Sequence, residues 1–302
     1  GKTTFADFAF VISPYLQALR NGTLDKLDII YFSYEIDRIS KEFKFAAFFF
    51  FYDFGITTYT FQGITYDIDQ DYLMGAKTYV SGKTDKGEDI REVIPITPEH
   101  KDILKAIYYD RIIPMFGEYD SKGNQIKPGI ILVIEEQDNP TGMYKYLLNY
   151  ARKHGTFKME KYIVSDERGK TETKERIIGF EDNTPDVYRI IVTDHIRKLI
   201  LERGFTMKQN IDKWLEYTTI LRNRCGYVAV NICHSNRGIA NVQRLQHAGE
   251  MIFPTSDDVK DTGNLAEEST VLMTLFNPSD EKYNLTRHMG VELNQFPRYR
   301  SL

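Results

Sequence analysis

Five short apolar runs, at residues 27–32, 130–134, 188–192, 227–232 and 271–276, constrain this chain more than any other feature. Each is too short for an ordinary helix and rich in β-branched or aromatic residues, so each reads as a strand buried on both faces. Between them Met143, Tyr146, Leu147 and Tyr150 recur at steps of three and four, as do Ile211, Trp214, Leu215, Thr218 and Leu221. That spacing lays one apolar stripe along a helix. Continuous apolar strands alternating with amphipathic helices predict an α/β fold whose mostly parallel central sheet is covered on both faces.

Two regions interrupt the rhythm. Residues 56–128 carry turn signals, among them Asp-Lys-Gly at 85–87 and Ser-Lys-Gly-Asn at 121–124, and residues 156–183 read as a β-hairpin turning at 166–170. Both are expected to be insertions in a single domain spanning 1–302. With 43 acidic and 39 basic residues, a net charge of −4 and 42% hydrophobic content, the chain has the composition of a globular protein rather than a disordered tail, a collagen or a disulfide scaffold. A slightly acidic balance argues against coating nucleic acid over the whole surface but permits basic residues grouped in one channel. The longest apolar stretch, the aromatic block at 45–52, falls far short of the ~20 residues of a membrane span and is expected inside a buried helix. Cys225 and Cys233 form no disulfide framework, and the opening residues lack the signal-peptide pattern. A reducing, cytoplasmic setting without a membrane partner is the expectation.

The chemistry starts at the first residue. Gly1-Lys2-Thr3-Thr4, followed by Phe5, Phe8 and Ala9 at helical spacing, reads as the second half of a phosphate-binding loop, G-x-x-x-x-G-K-[ST]. There the backbone amides and Lys2 would hold phosphate oxygens, and the Thr3 hydroxyl would ligate Mg²⁺. A second Gly-Lys-Thr at 82–84 has no glycine at the loop spacing and opens no helix, so it carries no such role. The first strand ends in Ser33-Tyr34-Glu35. Ligands of α/β sheets sit beyond the carboxyl ends of strands, where Glu35 could orient and deprotonate an attacking water. The strand at 188–192 runs into Thr193-Asp194, an apolar run closed by the carboxylate that would hold Mg²⁺ through water. His195 beside it is expected either to support that carboxylate or to lie on the surface.

Taken in order, Gly1-Lys2-Thr3, Phe32-Ser33-Tyr34-Glu35-Ile36, Ile190-Ile191-Val192-Thr193-Asp194, His234-Ser235-Asn236-Arg237 and Asp258-Val259-Lys260-Asp261-Thr262-Gly263 resemble the RecA-like motor domain of DnaB-type replicative helicases, in particular their divergent bacteriophage members. The resemblance implies a P-loop NTPase core carrying β-hairpin insertions. It implies ATP and Mg²⁺ as cofactors, Glu35 as general base, Asp194 behind the Mg²⁺, and His234 in the place of the glutamine that senses the γ-phosphate. Lys260 and Asp261 stand where the family has Arg and Glu. The family's first loop glycine and its finger-bearing hairpin would fall before Gly1 and after Leu302, so the chain resembles a motor domain trimmed at both ends and inactive by itself.

The same resemblance implies a homo-hexameric ring around single-stranded DNA that unwinds duplex during replication, with primase and a helicase loader as further partners. DNA contacts are expected from the loops after Asp194 and Arg237, through Arg197, Lys198, Arg237 and Arg244, which would follow phosphates without reading bases. Two alternatives stay open: another RecA-class ATPase of the recombinase or KaiC-like kind, and a ring component that binds nucleotide or DNA without turnover.

Overall fold

Four of the five apolar runs form strands. The structure, a computed structural model, describes residues 2–165, 169, 171–234 and 264–275. It comprises two compact units, one formed by residues 35–135 and the other by the segments on either side. The first segment contributes α1 (Lys2–Asp7), a π-helical turn (Phe8–Ile12), α2 (Ser13–Asn21) and β1 (Leu27–Ser33). The 35–135 unit holds α3 (Arg38–Phe54), β2 (Thr58–Phe61), β3 (Ile64–Asp67), α4 (Gln70–Leu73), β4 (Thr78–Lys83), β5 (Asp89–Val93), α5 (Pro98–Ile107), α6 (Ile113–Phe116), β6 (Gly117–Tyr119), β7 (Gln125–Pro128) and β8 (Ile131–Ile134). The chain then returns to the first unit with α7 (Pro140–His154), β9 (Gly155–Ser165), β10 (Thr171–Asp182), β11 (Tyr188–Asp194), α8 (Met207–Cys225), β12 (Val228–Asn231) and α9 (Asn264–Glu268).

In the larger unit β11 lies between β1 and β12 and is parallel to both. Seven residues of β1 pair in register with seven of β11, from Leu27 opposite Tyr188 to Ser33 opposite Asp194. Ile29, Ile30, Tyr31 and Phe32 are buried, as are Ile190, Ile191, Val192, Thr193 and Asp194, which is why neither strand shows polar alternation. Helices supply the cover. On α8 the buried positions include Ile211, Trp214, Leu215, Thr218 and Leu221, the stripe read from the sequence. A capping box of Thr206 and Gln209 starts that helix, and Gly226 ends it in the left-handed conformation. On α7 Asn139 caps Gly142 N–H, Pro140 sits in the first turn, and Met143, Leu147 and Ala151 are buried. Trp214 stands edge-on to Phe32 at 6.0 Å and donates its indole N–H to Asn231 Oδ1 at 2.9 Å. β9 and β10 form the long antiparallel ribbon, with Lys158 and Glu181 paired at 2.6 Å.

The fifth run departs from expectation. Its described residues, 271–275, are in no strand, and Val271, Met273 and Leu275 are exposed. Apolar content equips a segment to pair but does not supply a neighbour with free ladder groups. Here the segment instead lines a cavity of about 450 Å³ together with residues 227–233 and side chains of α1 and α8.

In the 35–135 unit the aromatic block lies in α3, where Phe45, Phe49 and Phe50 are buried and Phe51 is 47% exposed. Phe45 meets Phe116 at 5.4 Å, and Phe50 meets the His100 ring edge-on at 5.8 Å. His100 Nδ1 is 2.7 Å from the Tyr72 hydroxyl, and Tyr72 stacks on Tyr59 at 3.9 Å. Three hairpins pair β2 with β3, β4 with β5 and β6 with β7. The two turns signalled in the sequence close as Gly87 N–H to Thr84 O and Gly123 N–H to Asp120 O, each with its glycine at φ near +80°. Helix α5 breaks the expected hairpins and loops of 56–128. Thr97 caps it, Pro98 opens it, and His100 and Ile107 are its buried residues.

Trp214 is the only tryptophan of the chain and is fully buried. Trp214→Ala should lower unfolding free energy by about 3–5 kcal/mol through the cavity left against Phe32. Urea unfolding followed by far-UV circular dichroism checks this; a loss below ~1 kcal/mol would mean α8 does not anchor the sheet.

Candidate active site

The in-register pairing of β1, β11 and β12 brings Ser33 level with Asp194 and Thr193 level with Asn231. The carboxyl ends of the strands therefore form one rim, the usual location of α/β ligand sites. Backbone hydrogen bonds continue past the strand ends. Tyr34 N–H donates to Asp194 O at 3.0 Å, Ile232 N–H to Thr193 O at 3.0 Å, and Ile196 N–H to Ile232 O at 3.1 Å. The segments carrying Asp194, His195 and His234 are thus tied to the sheet by its own ladder groups.

α1 brings its first residues to that rim. Thr3 donates its hydroxyl to Asp194 Oδ1 at 3.2 Å, joining residues 191 positions apart. Lys2 Nζ lies 2.8 Å from His234 Nδ1. A lysine ammonium offers donors only, so toward it Nδ1 serves as the acceptor. The His195 and His234 rings meet edge to face at 4.5 Å. His195 is buried and accepts Arg197 N–H on Nδ1, which starts the short 3₁₀ turn Ile196–Lys198. Of the two expectations for His195, the surface position does not hold, since the side chain is buried.

Beneath the rim lies a polar cluster that the sequence reading missed. The Tyr31 hydroxyl is 2.8 Å from Asp7 Oδ1 and 3.3 Å from Asp194 Oδ2. Tyr31 is fully buried, and Asp7 and Asp194 are 2% and 1% exposed. Burial first, and then the two neighbouring carboxylates, push the Tyr31 phenol well above its ordinary range, so it stays a donor at all working pH values. Two local signals mark these residues. Tyr31 is the polar-tipped member of an otherwise apolar core stretch in β1, and Asp7 sits four residues after Thr3, on the same helix face.

The remaining expected site residues fall as follows. Thr4 is half-buried on α1. Glu35 follows directly on Tyr34 and is exposed. Arg197 is half-buried and Lys198 exposed on the turn after His195. Gly1, Arg237 and Arg244 lie outside the described residues, as do Lys260 and Asp261. The second Gly-Lys-Thr begins at the end of β4 and runs into the hairpin turn. Among the described residues no helix is long and apolar enough to cross a membrane.

Chemically, the rim sets an alcohol and a carboxylate side by side with an ammonium close to an imidazole, on elements locked by backbone bonds. Hydrogen exchange should show it: the amides of Tyr34, Ile196 and Ile232 are expected to exchange as slowly as those of Ile30 and Ile191. Exchange at loop rates at these three would indicate a rim that opens independently of the sheet. No protein-family model matches the chain, and no curated protein matches it in sequence.

Proposed function

We propose that the chain is a RecA-like ATPase, the DnaB-type motor of a ring that hydrolyses ATP while translocating on single-stranded DNA. The observation that carries this reading is the 3.2 Å hydrogen bond between the Thr3 hydroxyl and Asp194. The sequence assigns both groups, independently, to one Mg²⁺. A hydroxyl and a carboxylate oxygen from two rigid elements, with the Lys2 ammonium adjacent, make a donor set suited to Mg²⁺ and phosphate oxygens, so the residues fit Mg·ATP.

On this reading Thr3 and Asp194 would hold the ion and Lys2 would bind phosphate. The ion, when bound, neutralises charge that develops on the phosphoryl oxygens. Glu35, two residues beyond the end of β1, takes the proton of the attacking water. His234, next to the Lys2 ammonium, is suited to report whether phosphate has claimed that lysine, and its strand end leads into the segment carrying Arg237 and Arg244. Arg197 and Lys198 lie just as close in sequence to Asp194. Coupling between hydrolysis and DNA grip would run along these two short connections.

Two measurements test the reading. Made in a chain extended at both ends, Glu35→Gln should retain ATP binding near the level of the unsubstituted extended chain and lose turnover by roughly 10²–10⁴-fold; unchanged turnover would move the base elsewhere. Neutralising Arg197 and Lys198, or Arg237 and Arg244, should weaken single-strand binding regardless of sequence. The slope of log affinity against log salt should become shallower by about 1 to 1.5. An unchanged slope for both pairs would remove these loops from the DNA path.

A further inference from the structure

We propose that Tyr31 is a positioning residue for the divalent cation: its phenol, anchored by Asp7, fixes the Asp194 carboxylate against Thr3. This inference rests on the nucleotide reading above and names what aligns that site. Thr3 donates to Oδ1 of Asp194, while the single phenolic proton of Tyr31 is shared between Asp7 Oδ1 and Asp194 Oδ2, so the two oxygens of one buried carboxylate are approached from two different elements. Asp7, four residues beyond Thr3 on α1, accepts the closer of the two phenol contacts. A single side chain of β1 therefore ties the helix that carries Thr3 to the strand end that carries Asp194. Removing it leaves both ligating oxygens present but takes away one of the contacts that orient the Asp194 carboxylate and one that holds the helix carrying Thr3.

Groups that orient metal ligands without touching the metal typically change affinity by 10–100-fold when removed. Tyr31→Phe deletes one oxygen and keeps the ring that fills the core. The expected result is a rise of about tenfold or more in the Mg²⁺ concentration giving half-maximal binding of a fluorescent, slowly hydrolysed ATP analogue, read by equilibrium anisotropy. A variant that merely softened the fold would not do this selectively. Tyr150→Phe is the control. The Tyr150 hydroxyl donates to Asp28, near the start of β1, so this change removes a comparable phenol–carboxylate bond remote from Asp194 and should leave the Mg²⁺ midpoint in place. Should Tyr31→Phe fail to fold with two buried carboxylates deprived of their shared donor, the double variant Tyr31→Phe/Asp7→Asn removes one of those charges and should show the same shift.

A wild-type Mg²⁺ midpoint in folded Tyr31→Phe, or an equal shift in Tyr150→Phe, would overturn the positioning role while leaving the nucleotide site standing. Absence of Mg²⁺-dependent nucleotide binding in the unaltered chain would overturn the site reading and this inference together.

Discussion

The parallel pairing of β1 with β11 sets the position of every group at the rim. Seven consecutive residue pairs run from Leu27–Tyr188 to Ser33–Asp194, and side chains alternate faces along each strand. A slip of one residue would turn Asp194 to the opposite face and move Tyr31 out of reach of it. Burial on both faces would not by itself keep this register, because a slip would still bury apolar side chains; what a slip would lose is the pairing of the buried carboxylate and hydroxyl groups with their partners. The Tyr31 hydroxyl between Asp7 and Asp194 acts as a check on the register as well as a contact within it.

Placing two carboxylates and a phenol in an apolar core is costly, since each is removed from water. A residue chosen for stability alone in β1 would be another Ile or Phe. The cluster instead lies directly below the strand ends at which Thr3 and Lys2 arrive. Elsewhere in the same unit buried polar groups serve packing. Arg189 is held by Asp182 and backed by Tyr227, and Tyr150 is joined to Asp28; both lie toward the opposite end of β1 and β11.

The 35–135 unit is built on different terms. Its centre is aromatic, with Phe50, Tyr59 and Tyr72 around His100 and Phe45 against Phe116, and Phe49 buried as well. Short hairpins with tight glycine turns surround that centre. Phe and Tyr bury large areas per residue, which lets a small unit with only short strands hold together. The imidazole of His100 supplies the hydrogen bond that the buried Tyr72 hydroxyl requires.

Local pattern was enough to locate the strands, read at 27–32, 130–134, 188–192 and 227–232 and formed at 27–33, 131–134, 188–194 and 228–231, together with the buried stripe of α8 and the glycine turns at 87 and 123, because periodicity and turn chemistry act within a few residues. It also singled out Lys2, Thr3, Glu35 and Asp194 as chemical candidates, each from its immediate neighbours, whereas His234 came only from the resemblance. Helix α5 was legible in principle from Thr97-Pro98-Glu99, although the surrounding turn residues hid it. Only the tertiary structure decided that Thr3 meets Asp194 and Lys2 meets His234, across 191 and 232 residues. It alone recruited Tyr31 and Asp7, left residues 271–275 out of a strand, and gathered residues 35–135 into a unit of their own. These outcomes depend on which strand edges and helix faces meet, and pairing between distant segments leaves no trace in local periodicity.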